Sequence, residues 1–297
     1  MGNSSSPMAK RIINTKGGFS IVHKNRSARF SDTYDYLVRI SWVAFFTYSL
    51  LAYVLANSIF ALIYLTVGAD EINIILSGNY FNDFLNSFSF SCQTFTSLGY
   101  GTMAPKGVLS GIISSIEAFL GLLFFAFVTG LLYGRFSKPK PSIKFSKDIV
   151  FRKFKNKNAI MFRVVNNRVN AMIKPEVEVN LSLSVQNEKG VFENNFYKLK
   201  LERKKITYLP TTWTIVHEID SNSPLQKFTK EEIKALHGEF LILLTYYDEA
   251  FNQEVHQMYS YTFKDLKIDF KFRKAYYYND KGEMIMDHDL FDALEAI

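Results

Sequence analysis

In TFTSLGYGTMAP, residues 94–105, Gly99 and Gly101 flank Tyr100, with Thr96 and Ser97 just ahead of them. The chemistry open to this spacing is that of backbone oxygen. A cation can exchange its water shell for carbonyls if consecutive C=O groups aim at one axis, which L-residues in ordinary α or β geometry do not sustain. Glycine reaches positive φ without a Cβ penalty and relieves that strain. The carbonyls of Ser97, Leu98, Gly99 and Tyr100, with the Ser97 hydroxyl at one end, then form stacked oxygens, while Leu98 and Tyr100 point away and brace the strand. One chain supplies one such strand, whereas an ion needs oxygens on all sides, so four copies must surround the axis. Alone, a Gly-Tyr-Gly also suits a plain turn, and the surrounding elements decide between the two.

Ile40 to Ala69 is 30 residues without a charge, and Gly107 to Gly134 is 28 residues with Glu117 as its one charge. Both exceed the roughly 20 residues that cross a hydrocarbon core about 30 Å thick. Two membrane spans are expected, over 42–67 and 107–134. Between them, NDFLNSFSFSCQTFT, residues 82–96, carries only Asp83 but many Ser, Asn, Gln and Thr. It is too short and too polar for a third span, which would also put the termini on opposite sides. A pore helix over 83–96 that enters the membrane and returns meets both constraints, because re-entrant backbone is tolerated where protein or a water-filled cavity covers it. In that setting residues 96–101 read as a quarter of a K⁺ filter, with the helix C-terminus turning its partial negative charge toward the ion.

Lys10, Arg11, Lys16, Lys24, Arg26 and Arg29 precede the first span, and Arg135, Lys138, Lys140, Lys144, Lys147 and four further basic residues follow the second, while the loop between holds Asp70, Glu71, Asp83 and one Lys106. The positive-inside bias makes both termini cytoplasmic. The first 39 residues are too polar, and the first apolar run too long, for a cleaved signal peptide. Residues 1–30 read as a flexible tail whose Gly2 and Ser6 match an N-myristoylation pattern that small polar termini often match by chance. Residues 31–41, SDTYDYLVRIS, offer Ser31 as an N-cap and Tyr34, Leu37, Val38 and Ser41 at helical spacing. This is an amphipathic interfacial helix leading to Trp42, or else the first turns of the span.

Along the second span, Gly121, Phe125, Thr129 and Tyr133 recur every four residues. They suit a pore-facing stripe with Tyr133 as the inner constriction, and the aromatics equally suit packing between helices. Glu117 is placed to brace the filter from behind, or to sit partly wet at the outer interface. Arg135, Lys138 and Lys140 suit anionic lipid head groups as well as ordinary membrane anchoring. The single cysteine, Cys92, rules out an intrachain disulfide or Cys-based metal site and reads as packing.

After residue 136 the apolar runs shorten and alternate, as in EVEVNLSLSV and EFLILLTYY, with turn signals between. Eight short strands in the stretch 137–297 indicate a soluble β-sandwich, closed by a short helix in DLFDALEAI. His217 and His256 have no partner at metal-ligand spacing and read as structural. No GxGxxG, Arg-repeat helix or catalytic constellation follows residue 140, which disfavours a nucleotide-gated channel, a voltage sensor and an enzyme. The net charge of +7 lacks any nucleic-acid recognition motif beside it. A non-conducting, membrane-tethered sensor or scaffold is the competing function.

FSCQTFTSLGYGTMAP and YGRFSKPKPSIKFS, with FRVVNNR, HEIDSNSPL and YSYTF, resemble the prokaryotic inward-rectifier potassium channels, the KirBac family. The resemblance implies a homotetrameric K⁺ channel of a bacterial inner membrane, each subunit a two-span pore domain over 42–136 with an immunoglobulin-like β-sandwich at 137–297. It implies gating at the inner helix bundle and cytoplasmic domain, no cofactor beyond the permeant ion, and a loop at 249–258 narrowing the cytoplasmic path. The chain departs from the family at Ser97, where Thr is usual, at Gln93 for Glu, at Phe125 for the acid of strong rectifiers, and at Lys174-Pro175 for Glu-Ala.

Overall fold

The computed structural model describes residues 11–14, 18–21, 24–25, 30–68, 71–73, 78–139, 141–168, 172–186 and 192–297. Gly2, Ser6, Asp70 and Lys140 lie outside the described residues. The chain forms two compact units, Arg26–Lys138 and the combination of Met1–Asn25 with Pro139–Ile297.

The first unit holds α1 (Phe30–Arg39), α2 (Trp42–Val67), α3 (Tyr80–Phe95) and α4 (Val108–Phe136). Of these, α2 and α4 are long and apolar enough to cross a membrane, each with a mean hydropathy of 2.1. Starting at Phe30, α1 includes Ser31 within the helix rather than before it. Ser41, expected on the same stripe, instead caps the next helix by accepting from Ala44 N at 3.2 Å. That cap separates α1 from α2, so α1 is not the opening of the span. Asn79 Oδ1 accepts from Phe81 N at 3.0 Å and starts α3 three residues ahead of Asp83. At its far end α4 continues through Gly134 to Phe136, where Ser137 N donates to Tyr133 O.

The second unit begins with β1 (Ile143–Phe145), β2 (Ile149–Phe154), β3 (Lys157–Asn166), β4 (Met172–Gln186), β5 (Phe192–Lys198) and β6 (Thr212–Glu218). After a short helix α5 (Lys230–Ala235) come β7 (Gly238–Asp248), β8 (Gln253–Thr262), β9 (Leu266–Ile268), β10 (Phe270–Phe272), β11 (Tyr276–Tyr278), β12 (Met284–Met286) and β13 (Leu294–Ala296). One sheet centres on β3, with β6 along one side, β1 and β2 along the other, and β9 parallel to β2. The other is antiparallel, in the order β5-β4-β7-β8. The alternation of EVEVNLSLSV buries Val177, Val179, Leu181 and Leu183 against Phe151, Ile160, Phe162 and Ile215 of the first sheet, making one core. At Lys174-Pro175 the β4–β7 register shifts between Ile173 and Glu176, where proline has no ladder donor and Lys174 has φ +51°.

Several expectations for this unit are corrected. There are more than eight strands: the run KIDFKFRKAYYY, residues 267–278, divides among β9, β10 and β11, with Asp269 at φ +60° at the first break. The end of the chain pairs as β13 with β10 instead of forming a helix. It is held there by Arg163, whose guanidinium donates to Arg273 O at 2.6 Å, Leu290 O at 3.1 Å and Phe291 O. Most of 249–258 is the strand β8, with only a tight turn at Glu249–Asn252 where Asn252 has φ +52°. Residues 11–14 and 18–21 are not a free tail. Glu239 accepts from the amides of Ile12 at 2.7 Å and Ile13 at 3.2 Å, Ser260 Oγ donates to Ile13 O at 2.8 Å, and Arg11 pairs with Asp265.

Candidate functional site

Helix α3 ends on the residues that carry the expected chemistry. Thr96 N donates to Cys92 O at 3.1 Å, Ser97 N to Thr94 O at 3.0 Å and Leu98 N to Gln93 O at 2.8 Å, so the chain unwinds within one turn. Ser97, Gly99 and Gly101 then take φ of +56°, +52° and +84°, while Leu98 and Tyr100 between them do not. Alternation of left- and right-handed residues turns successive carbonyls toward one side, where a β-strand would alternate them. Glycine was expected in the left-handed region; Ser97 there is the addition, and its hydroxyl chain without a β-branch tolerates it better than Thr would. Tyr100 and Leu98 are 72% and 55% exposed in the single chain, leaving their braces unsupplied by it. After Gly101 the strand is clasped from outside: Asn73 N donates to Ala104 O at 2.9 Å, and Lys106 N and Gly107 N donate to Glu71 O at 2.8 and 3.2 Å.

Behind α3 lies Glu117, fully buried. Tyr64 OH stands 2.6 Å from its Oε2 and Ser91 Oγ 2.5 Å from its Oε1, so the carboxyl joins both spans to the pore helix. Asn57 completes the group with Oδ1 at 3.0 Å from Ser91 Oγ. The half-wet interfacial setting for Glu117 is thereby excluded. Gln93 takes no part: its Nε2 reaches Ser89 Oγ at 3.5 Å, and its Oε1 is buried without a hydrogen bond among the described residues. Asn57, Tyr64 and Ser91 escaped the sequence reading, although an amide in the middle of an uncharged span was a usable signal.

Of the four-residue stripe, Phe125, Thr129 and Tyr133 are exposed on the single chain, whereas Gly121 is buried against α3. A Cβ on Gly121 would stand 1.8 Å from Phe95 O. Steps of four residues drift about 40° each around a helix of 3.6 residues per turn, so Gly121 and Tyr133 cannot share a face. At the C-terminal end of α4, Arg135 donates to the carbonyls of Leu37 at 2.7 Å, Val38 at 3.2 Å and Ile40 at 2.7 Å. Its guanidinium lies over Trp42 and Phe45, 4.4 and 4.8 Å from their centroids. Arg135 therefore caps the C-terminus of α1, where unpaired carbonyls and the helix dipole favour a cation. Lys138 reaches Asp35 at 3.3 Å, an exposed pair.

Residues 143–297 match the family profile described as inward rectifier potassium channel C-terminal domain, and residues 48–138 match one described as ion channel. The chain is 34% identical over 264 residues to the inward rectifier potassium channel Kirbac3.1 of Paramagnetospirillum magnetotacticum, covering 88% of each. It is 26% identical to inward rectifier potassium channel 4 of Homo sapiens over 71% of this chain and 49% of that one, and 25% identical to the G protein-activated inward rectifier potassium channel 1 of Bos taurus over 85% and 55%. The chain belongs to the inward rectifier potassium channel family.

Proposed function

We propose that four copies of this chain form a K⁺-selective pore in which the carbonyls of Ser97, Leu98, Gly99 and Tyr100, with the Ser97 hydroxyl, replace the hydration shell of the ion and pass it down its gradient. The observation that carries this reading is the alternation of positive φ at Ser97, Gly99 and Gly101 directly after a polar half-helix lying between two apolar spans. Conduction needs sites that bind and release readily, which rings of carbonyl dipoles provide. In the tetramer, neighbouring chains cover Leu98 and Tyr100. Phe125, Thr129 and Tyr133 line the inner path, with Tyr133 as the constriction. Both termini face the cytoplasm of a bacterial inner membrane. Because Arg135 is engaged by α1, Lys138 and Lys140 are the better candidates for anionic lipid, and Arg135 couples α1 to the end of the inner helix. The test is Rb⁺ or K⁺ uptake into liposomes holding the purified protein, with Na⁺ and Ba²⁺ controls. Selective, Ba²⁺-blocked uptake is expected; equal Na⁺ and K⁺ flux overturns the reading.

A further inference from the structure

Asn57, Tyr64, Ser91 and Glu117 meet where α2, α3 and α4 touch, and none is more than 2% exposed. Three oxygen–oxygen contacts hold them: Tyr64 OH to Glu117 Oε2 at 2.6 Å, Ser91 Oγ to Glu117 Oε1 at 2.5 Å and Ser91 Oγ to Asn57 Oδ1 at 3.0 Å. The amide orientation follows from Asn57 Nδ2 donating to Tyr53 O at 2.8 Å, since the reverse would set two acceptors at that distance. Oδ1 therefore brings no hydrogen to Ser91.

Each contact needs one hydrogen. Tyr64 supplies one and Ser91 supplies one; a carboxylate supplies none. Were Glu117 ionised, Ser91 could satisfy either the carboxylate or Asn57, and the other pair would be two bare oxygens in contact inside the membrane unit. Both carboxyl oxygens face hydroxyls, and among the described residues no cation stands against Glu117 to offset a charge.

We propose that Glu117 is a neutral carboxylic acid, donating through Oε1–H to Ser91 and accepting from Tyr64 at Oε2, while Ser91 passes its own hydrogen to Asn57. One proton thus closes a chain of hydrogen bonds from the second span through the pore helix to the first. This rests on the reading of α3 as the element that positions the filter, and makes Glu117 a positioning residue acting as a donor–acceptor pair. Glutamine has the same pair, with Nε2–H in place of O–H, whereas alanine has neither.

The test is infrared difference spectroscopy of the reconstituted protein at neutral pH. A protonated-carboxyl C=O stretch should be present, vanish in Glu117→Gln, and shift in Tyr64→Phe, where the carbonyl oxygen loses its donor. Absence of any band lost in Glu117→Gln overturns the proposal. In uptake assays Glu117→Ala should lower K⁺ over Na⁺ preference about tenfold, the equivalent of one lost strong hydrogen bond, and Glu117→Gln should restore it. A Gln variant as unselective as the Ala variant overturns the proposal as well. The infrared band is read without flux, so a protein that fails to conduct would sink the channel reading and leave this one standing on its own measurement.

Discussion

One methyl group added at Gly121 should disable the filter without touching it. The new Cβ would lie 1.8 Å from Phe95 O, 2.7 Å from Phe95 C and 3.1 Å from its Cα, all backbone atoms that no rotamer change can move aside. An ordinary contact begins near 3.4 Å, so α4 and the end of α3 must part by roughly 1.6 Å. Overpacking of this kind costs about 1–3 kcal/mol, of which the better helix propensity of alanine offsets about 1 kcal/mol. The 1.8 Å approach to backbone puts this substitution at the upper end of that range, so the net cost is about 2 kcal/mol, enough to shift a population about 30-fold away from the native pose. Phe95 immediately precedes Thr96, and functional constellations tolerate displacements of only about 0.5 Å. Gly121→Ala should therefore cut K⁺ uptake into liposomes by about an order of magnitude, or abolish its preference over Na⁺. Gly111→Ala is the matched control, since a Cβ there meets nothing within 4 Å. Wild-type uptake and selectivity in Gly121→Ala, at equal recovery of the assembled protein, would refute the packing argument.

Gly99→Ala places a side chain at φ +52° and costs about 1–2 kcal/mol in the left-handed region, so K⁺ uptake should fall sharply while the oligomer still assembles; uptake equal to wild type would contradict the filter geometry. Arg135→Lys keeps the charge but replaces a planar fork by a point donor unable to span three carbonyls, and hydrogen exchange at the Ile40 amide should speed up. An unchanged exchange rate with altered dependence on anionic lipid would favour a head-group role instead. In the β-unit, burial holds the His217 imidazole below its ordinary 6.5, with Nδ1 donating to Lys200 O and Nε2 accepting from Ser223, both at 2.8 Å. The unfolded chain then takes up a proton that the folded one refuses, so stability is full above pH 6.5 and declines as pH drops below it. Thermal unfolding of His217→Asn should show less of that decline, and an identical pH profile would exclude His217 as its source.

What could be read ahead of the structure was chemistry carried by residue type at one place in the chain. Long uncharged runs locate α2 and α4, and alternating glycines locate the turn out of α3, because lipid and backbone sterics act on each residue separately. The same holds for the period-2 run that forms β4. Failures share another cause. DLFDALEAI has an acceptable helical composition, yet buried Arg163 needs carbonyls and takes those of Leu290 and Phe291, drawing the segment into a strand. That guanidinium, its basicity lowered to about 10 by burial, remains charged at neutral pH and cannot forgo the partners.

Glu117 stood out by its charge in an apolar run, but the groups that hold it were hidden for the same reason. Ser91 and Glu117 are 26 residues apart and Tyr64 and Glu117 53, and nothing in the local pattern of either partner announces the other. Gly121 fits any face of a helix by its type, and only the proximity of Phe95 O explains its lack of a side chain. A filter residue is thus identified by the conformation it must adopt, whereas a supporting residue is identified by the atom opposite it. Substitutions that leave every residue of 96–101 intact should for that reason include some of the most damaging ones, at Gly121 for want of space and at Glu117 for want of a hydrogen bond.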